Sequence, residues 1–349
     1  MLYIIIKVKK GNKGVIIIKS ILKLTTIIVM SITLSACSFS SYGKKPSSPN
    51  VQSSSNKKTI QTNSSAKLPT IEETVKELCS EEFQGRLVGS TGNDKTVKYL
   101  ETVFKNLGLE PLFEKNYGEN YYQGVISTFG GDNSNIKLKT VDNVVGVIKG
   151  KNNKKAVAIS AHFDHIGYQD GKLVSGALDD ASGIASLIEI AHNLKEKSSV
   201  KPFDMDIIIC AFNGEETGLT GSRNFINATN GIYDSLYNIN IDCIGAKNGG
   251  KLALKNKSKV SNKLYTAIKA TLKKNNIEFA DTSVKGAGDH LSFEQASIPN
   301  VFIVQENIEK LVHKPTDTPD ILDFTQIKKI SDTICDFIET NDGIMFNTI

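Results

Sequence analysis

The chain has 349 residues, is 40% hydrophobic and carries a formal net charge of +5. This apolar content is enough for a real hydrophobic core and excludes a wholly disordered chain. The lysines are scattered, and no basic stripe interleaved with aromatic side chains indicates a nucleic-acid-binding surface. The five cysteines contain no CxxC pair, which argues against a structural zinc knuckle or a redox dithiol.

Residues 1–36 have the composition of a secretory signal peptide. They are rich in Lys, Ile, Leu and Val and end in LTTIIVMSITLSA, an apolar run too short for a membrane span but typical of a signal-peptide core. The following sequence Leu34-Ser35-Ala36-Cys37 resembles a bacterial lipobox, whose cysteine becomes the lipid-modified first residue. We therefore expect a lipoprotein anchored through Cys37 to the extracytoplasmic face of the cell membrane. An uncleaved anchor helix is the alternative.

Residues 37–67 are predicted to form a disordered tether. Ser, Asn, Lys and Pro dominate this segment, and it has too few apolar side chains to offset its chain entropy by burial. A folded domain is expected at residues 68–345. We expect a monomer, because no large insertion that could serve dimerisation interrupts this domain.

Helical and strand-like segments alternate through the folded domain. Thr70 and Glu73 form a capping pattern that predicts the first helix, and Gly108 is expected to close the second. Apolar faces at helical spacing predict further helices at about 181–197, 261–275 and 324–338. Strands are predicted at 121–128, 135–150, 156–161, 205–213, 237–242, 251–255 and 299–305. This alternation predicts a single three-layer α/β domain with a mixed, mostly parallel sheet and helices on both faces.

The stretch Ala156–Gly183, AVAISAHFDHIGYQDGKLVSGALDDASG, joins a buried strand to a set of metal-binding side chains. The irregular segment after the strand contains His162, Asp164, Asp179 and Asp180. Open α/β sheets build their sites at the carboxyl edge, where a strand ends and a helix begins. The stretch therefore predicts a metal site.

Metal-binding side chains recur at or just after the ends of predicted strands: His162, Asp179, the pair Glu215 and Glu216, Asp242 and His313. A single Asp or Glu at a strand end is most often a cap or a solvated loop residue, but this recurrence is hard to explain in that way. Two histidines and several carboxylates suit zinc or a similar divalent ion, and they exceed the needs of one tetrahedral site. Two ions that share a carboxylate are the economical arrangement. The adjacent glutamates can take different roles, one holding a metal and the other facing its bound water.

Six motifs follow in order: AHFDHIG, GALDDASGIA, NGEETGLTGS, NIDCIG, GDHLSF and VHKPTDT. Together they resemble the co-catalytic zinc aminopeptidases of the leucyl aminopeptidase and aminopeptidase Y family, which includes glutamate carboxypeptidase, glutaminyl cyclase and the catalytically silent transferrin receptor. The resemblance spans roughly residues 72–338 and includes the segment GRLVGSTGN. It implies a fold of the zinc exopeptidase type, two zinc ions per chain, and peptide substrates with a free N-terminus.

The resemblance also implies a ligand set. Asp179 would bridge the two ions. His162 and Asp242 would complete one metal site, and Glu216 and His313 would complete the other.

Two further residues gain roles from the resemblance. Glu215 would be the general base, taking a proton from the water that bridges the ions and passing it to the leaving amine. Asp164 would be the carboxylate that orients the His162 imidazole, a partner that metal-bound histidines usually require. In the family the peptide bond after the bridging aspartate is often cis, which here is Asp179–Asp180.

Other polar residues receive weaker assignments. Asp289 and His290 match a family motif near the substrate pocket, although Asp289 could equally cap a helix. His165 is expected to cap or pack, and a direct metal role is the alternative. Many relatives have Tyr before the last ligand histidine, where its hydroxyl can stabilise an oxyanion, but this chain has Val312, so that role stays unassigned.

Three rivals to the aminopeptidase remain. A glutaminyl cyclase on the same scaffold would use a single zinc, and a carboxypeptidase would act on the other end of the peptide. A silent binding module should have lost ligands or the base, and no such loss is found in this sequence.

Overall fold

The computed structural model describes residues 67–113, 116–130, 136–255, 258–280 and 287–347. The predicted signal peptide, Cys37 and all but the last residue of the predicted tether lie outside these ranges, so those assignments stay predictions. Within the described ranges, no helix is both long enough and apolar enough to cross a membrane.

A mixed sheet runs through the domain. Its described strands are β1 (Glu110–Pro111), β2 (Gly118–Val125), β3 (Lys137–Ile148), β4 (Asn152–His162), β7 (Met205–Phe212), β8 (Ser235–Ile241), β9 (Leu252–Lys255), β10 (Phe279–Ala280) and β11 (Asn300–Gln305). A separate hairpin pairs β5 (Tyr168–Gln169) with β6 (Lys172–Leu173). The strand order is β1-β3-β7-β4-β8-β11-β9-β10, and β2 pairs with β3. The central strands β7, β4, β8 and β11 are parallel, and antiparallel pairs flank them. The predicted mixed sheet is therefore confirmed.

Helices cover both faces of the sheet. They are α1 (Ile71–Leu78), α2 (Thr91–Asn106), α3 (Ser182–Val200), α4 (Thr220–Thr229), α5 (Asn262–Lys274), α6 (His290–Gln295) and α7 (Phe324–Thr340). Successive side chains of a strand point to opposite faces. In β7, Ile207 and Ile209 join the larger apolar cluster, which includes side chains of α1, α2, α3, α5 and α7. Ile208 joins the other cluster, with Phe225 of α4 and Phe293 of α6. The three-layer arrangement follows from this alternation.

The first helix begins where the sequence predicts. The Thr70 hydroxyl accepts a hydrogen bond from the Glu73 backbone N–H at 3.1 Å, and the Glu73 carboxylate accepts one from the Thr70 N–H at 2.8 Å. This capping box satisfies two backbone donors that the first turn of a helix leaves without partners.

Parallel pairing brings several strand ends to one edge of the sheet. His162, the last residue of β4, lies opposite Phe212, the last residue of β7. Asp242 directly follows β8, which pairs with the other side of β4. The chain segments that carry the predicted ligands therefore leave the sheet side by side.

Glu119, on β2, is a buried carboxylate whose effect on stability should depend on pH. It accepts a hydrogen bond from Asn143 Nδ2 at 2.8 Å, and burial raises its pKa to about 7. The folded state thus holds this proton more tightly than the unfolded state, so the free energy of unfolding falls as pH rises from 4.5 towards 7. Glu119→Gln has no charge to bury. We therefore expect its free energy of unfolding, relative to that of the wild type, to increase by about 2 kcal/mol as pH rises across this range.

Urea unfolding of metal-free protein at the two ends of this pH range measures that difference. Glu77→Gln, at an exposed position on α1, is the matched control. An equal response of Glu119→Gln and the wild type to pH would contradict the prediction.

Candidate metal centre

Two clusters of potential metal ligands lie at the carboxyl edge of the sheet and share Asp179. In the first, His162 Nε2 lies 3.2 Å from Asp179 Oδ1 and 3.8 Å from Asp242 Oδ1. In the second, His313 Nε2 lies 3.0 Å from Asp179 Oδ2 and 2.9 Å from Glu216 Oε1. Within each cluster the ligand atoms lie within 4.8 Å of one another. The two oxygens of Asp179 thus face different clusters.

The charges in these clusters favour cations. Burial opposes the charged form of His162, but the nearby carboxylates of Asp164, Asp179 and Asp242 outweigh burial and raise its pKa. Hydrogen bonds to Asp179 and Glu216 raise the pKa of His313 to about 10. Each imidazole therefore attracts a proton strongly at the place where an ion would lie. Carboxylate oxygens and imidazole nitrogens are the donors that zinc accepts, so these residues fit zinc or a similar divalent ion.

The clusters line a cavity of about 260 Å³. Glu215 also lines it but belongs to neither cluster, and burial raises the pKa of its carboxyl well above the ordinary range. A larger cavity, of about 490 Å³, lies at the amino ends of β8 and β11, on the opposite edge of the sheet. None of the predicted site residues lines that larger cavity.

Asp164 holds the two glutamates through their backbone. Its Oδ1 accepts from the Glu215 N–H at 3.1 Å, and its Oδ2 accepts from the Glu216 N–H at 3.2 Å. The carboxylate is 3.6 Å from His162 Nδ1, beyond ordinary hydrogen-bond length, and the Asp164 backbone carbonyl lies closer to Nδ1, at 3.1 Å. That this carboxylate orients the imidazole stays a prediction, because Oδ1 faces Nδ1 at this longer distance while it also accepts from the Glu215 N–H.

Asp180 is a neighbour of the ligands but belongs to neither cluster. Its side chain accepts from the backbone N–H groups of His162, Gly183 and Cys243, at 3.3, 2.9 and 3.1 Å. One buried carboxylate therefore ties together three of the segments that build the site. The Asp179–Asp180 peptide bond is cis, as the resemblance implies.

Asp317, in the VHKPTDT motif, fixes the position of the shared aspartate. Its two oxygens accept from the backbone N–H groups of Leu178 and Asp179, at 2.7 and 3.2 Å. Sequence reasoning assigned it no role. Its position four residues after His313, in the same motif, was the one sequence feature that could have indicated a role in the site.

Arg86, in the GRLVGSTGN segment, is fully buried beneath the site. Its guanidinium donates to the backbone carbonyls of Leu78, Phe163, Ser175 and Gly176, at 2.7 to 2.8 Å. Phe163 follows a predicted ligand, and Gly176 begins the turn that leads to Asp179. Arg86 therefore links two loops that carry ligands.

We expect Arg86→Met to lower the free energy of unfolding by at least about 3 kcal/mol, because it leaves four carbonyl groups without their donors. Urea unfolding of the metal-free protein measures this loss. The exposed Arg223 provides the control, since Arg223→Met should stay within about 0.5 kcal/mol of the wild type. A loss at Arg86 as small as that of the control would contradict the account.

Asp289 and His290 are close to the cavity but do not line it within the described residues. The Asp289 side chain caps none of the backbone N–H groups of α6, so the capping alternative is wrong. The His290 ring stacks on Phe302 with 4.4 Å between ring centroids, and Phe302 forms part of the cavity wall. His290 therefore supports this wall from behind. Val312 lines the cavity directly and adds no hydroxyl to it.

His165 lies with the second cluster rather than in a simple packing position. Its Nδ1 is 3.0 Å from Glu216 Oε1 and 3.9 Å from Asp179 Oδ2, and the side chain is fully buried. The sequence expectation that it only caps or packs is therefore wrong. Its position three residues after His162, in the same motif, was the signal that could have indicated this contact.

Comparison with known proteins agrees with this fold. Aminopeptidase YwaD from Bacillus subtilis (strain 168) is 26% identical over 215 residues, which are 57% of this chain and 45% of that protein. This chain thus spans less than half the length of that curated relative. A solved zinc aminopeptidase from Bacillus subtilis has a TM-score of 0.62 at 17% identity, with 79% of this chain and 96% of that chain covered.

A glutaminyl cyclase from Fimbriiglobus ruber has the same fold. Its TM-score is 0.62 at 19% identity, with 77% of this chain and 93% of that chain covered. The model of Peptidase family M28 matches residues 143–338, which is more than half of the 349 residues. The chain therefore belongs to peptidase family M28.

Proposed function

We propose that this chain is a metallo-aminopeptidase that removes residues from the free N-terminus of peptides. The observation that carries the proposal is the charge of the cavity. Its lining, within the described residues, contains neither Lys nor Arg but five carboxylates, from Asp179, Glu215, Glu216, Asp242 and Glu309. Glu309, which lies outside both clusters, would pair with the ammonium group of a peptide N-terminus, whereas no Lys or Arg of this lining would pair with a C-terminal carboxylate.

Two zinc ions would be held by five of the six clustered residues. His162 and Asp242 would serve one ion, Glu216 and His313 the other, and Asp179 would serve both. Two dications would exceed the three ligand carboxylates by one positive charge, which a hydroxide would balance, whereas a single dication would leave one net negative charge buried. When bound, the ions would polarise the scissile carbonyl and lower the pKa of the attacking water.

Glu215 would act as the general base. It faces the cavity beside both clusters without belonging to either. It would take the proton from the attacking water and deliver it to the amine that leaves when the peptide bond breaks. The two hydrogen bonds that Asp164 accepts from the backbone N–H groups of Glu215 and Glu216 would fix both glutamates relative to the loop after β4.

The apolar wall of the cavity suggests the substrate side chain. Phe302, Ile308 and Val312 line one part of it, which suits an apolar first residue. Glu309, which lines the same cavity outside both clusters, would be available to the substrate ammonium group.

Attachment to the membrane is proposed from the sequence alone. A lipid on Cys37 and a tether over residues 37–67 would hold a monomeric peptidase domain at the extracytoplasmic face of the cell membrane. Metabolic labelling with a fatty acid, with Cys37→Ala as the control, tests this part of the proposal.

Blocked peptides test the reaction. We expect cleavage of a leucine-initiated peptide and of its C-terminally amidated copy, but not of its N-acetylated copy. Cleavage of the acetylated copy together with failure on the amidated copy would replace the aminopeptidase by a carboxypeptidase. Cyclisation of a peptide with N-terminal glutamine, without hydrolysis of either leucine peptide, would establish a glutaminyl cyclase instead.

A further inference from the structure

His165 is a buried histidine that the proposed ligand set does not use. Its Nδ1 lies 3.0 Å from Glu216 Oε1, the same oxygen that lies 2.9 Å from His313 Nε2. The His165 and His313 rings meet edge to face with 5.5 Å between centroids. The His165 imidazole therefore contacts the second cluster from the buried side, whereas the His313 side chain is 41% exposed.

The unpartnered ring nitrogen of His165 indicates which role the residue takes. Nε2 is buried and has no hydrogen-bond partner within the described part of the chain. If Nδ1 bound an ion, Nε2 would carry the proton as a buried donor without an acceptor, and metal-bound histidines almost always donate that proton. If Nδ1 carries the proton instead, it donates to Glu216, and only the lone pair of Nε2 lacks a partner. Unpaired buried acceptors are less rare than unpaired buried N–H groups.

We infer that His165 is a positioning residue whose Nδ1–H donates to Glu216 Oε1 and aims this carboxylate at the metal that Glu216 and His313 would share. The inference rests on the proposed two-zinc site and adds a residue outside its ligand set.

The segment AHFDH would therefore contribute to both clusters. His162 supplies a ligand to the first cluster, and Asp164 holds the backbone of Glu216 at 3.2 Å. His165 holds the side chain of the same glutamate. Asp164 and His165, neighbours in the segment after β4, thus fix the backbone and the side chain of Glu216, which leaves its carboxylate little freedom to rotate away from the ion.

Three substitutions separate positioning from direct ligation. His165→Phe keeps a buried ring but removes the donor. His165→Asn carries an amide N–H at about the Nδ1 position and is a poor zinc ligand. His165→Gln places its amide further out, towards the Nε2 position, so it does not restore the donor. His192→Asn, on a partly exposed side chain of α3, is the matched control.

The probe is zinc alone, titrated into the metal-free full chain against a competing chromophoric chelator. His313→Asn identifies which binding step belongs to the second cluster, because His313 belongs to that cluster only. We expect His165→Phe and His165→Gln to weaken this step by about 10- to 100-fold, and His165→Asn to restore it. The other step should stay unchanged in all three variants, and circular dichroism of the metal-free proteins checks folding. If His165→Phe does not fold, the difference in zinc affinity between His165→Asn and His165→Gln still tests the inference.

Two results would overturn the inference while the two-zinc proposal stands. Equal loss of the step in the Asn and Gln variants would make His165 a direct ligand, and unchanged binding in the Phe and Gln variants would remove it from the site. A wild-type chain that binds fewer than two zinc ions would instead refute the two-zinc proposal and the inference together.

Discussion

Replacement of Glu215 by Gln is expected to lower kcat by about 10²- to 10⁴-fold, the usual contribution of a positioned general base. The amide has nearly the shape of the carboxylate but cannot accept the proton from the attacking water. Glu215 belongs to neither ligand cluster, so zinc content should stay at the wild-type value. Initial rates at saturating peptide and zinc, together with metal analysis of the same samples, measure both quantities.

Glu196→Gln, at an exposed position on α3, is the control for the loss of one glutamate charge, and it should keep wild-type kcat. A Glu215→Gln protein that holds its zinc and keeps kcat within about threefold of the wild type would remove Glu215 from the role of base, because such a base contributes at least about 10².

Replacement of Asp179 by Asn is expected to weaken zinc binding in both sites, by more than about 100-fold. This exceeds the effect of losing a residue that merely orients a ligand. The carboxylate presents Oδ1 to His162 and Oδ2 to His313. An amide has one oxygen and a nitrogen that cannot coordinate, so at least one site loses its ligand outright, and both lose the negative charge.

Substitutions of ligands that belong to only one cluster provide the comparison with Asp179→Asn. Asp242→Asn and His313→Asn each remove a ligand from one cluster only, so each should weaken one binding step. Equilibrium dialysis against buffered zinc measures bound metal per chain for all three variants. If Asp179→Asn weakens only one step, Asp179 is not shared and the proposed architecture is wrong.

The central strands could be predicted from the sequence because they are buried on both faces. Met205–Phe212 is a continuous run of buried residues, and such a run is recognisable without knowing its neighbours. The two-residue strands at Glu110–Pro111 and Phe279–Ala280 have no pattern of their own. They exist because a neighbouring strand offers free backbone groups, which the sequence does not reveal.

The sequence indicated the helix at His290–Gln295 only as an alternative, through a possible cap at Asp289, for a related reason. It has six residues, which is too short for an apolar periodicity to be recognised. Tertiary packing decides its conformation, as Phe293 is fully buried against Phe212 and Phe225.

In the site, the sequence predicted which residue types are present but not which contacts each of them makes. Asp179 and Asp180 are adjacent and identical in chemistry, yet the first faces both ligand clusters and the second accepts three backbone N–H groups. Which of the two faces the cavity depends on the backbone path between strand and helix. Asp164 shows the same limit, since its oxygens also accept from the backbone N–H groups of Glu215 and Glu216, which the sequence did not suggest.

Activity measured during zinc titration of the metal-free chain tests the central claim most directly. The substrate is an unblocked leucine-initiated peptide, with its N-acetylated copy in parallel. The account predicts that hydrolysis of the unblocked peptide rises until about two zinc ions are bound per chain and that the acetylated copy stays intact throughout. Full activity at one zinc per chain, or hydrolysis of the acetylated copy, would contradict a two-zinc aminopeptidase.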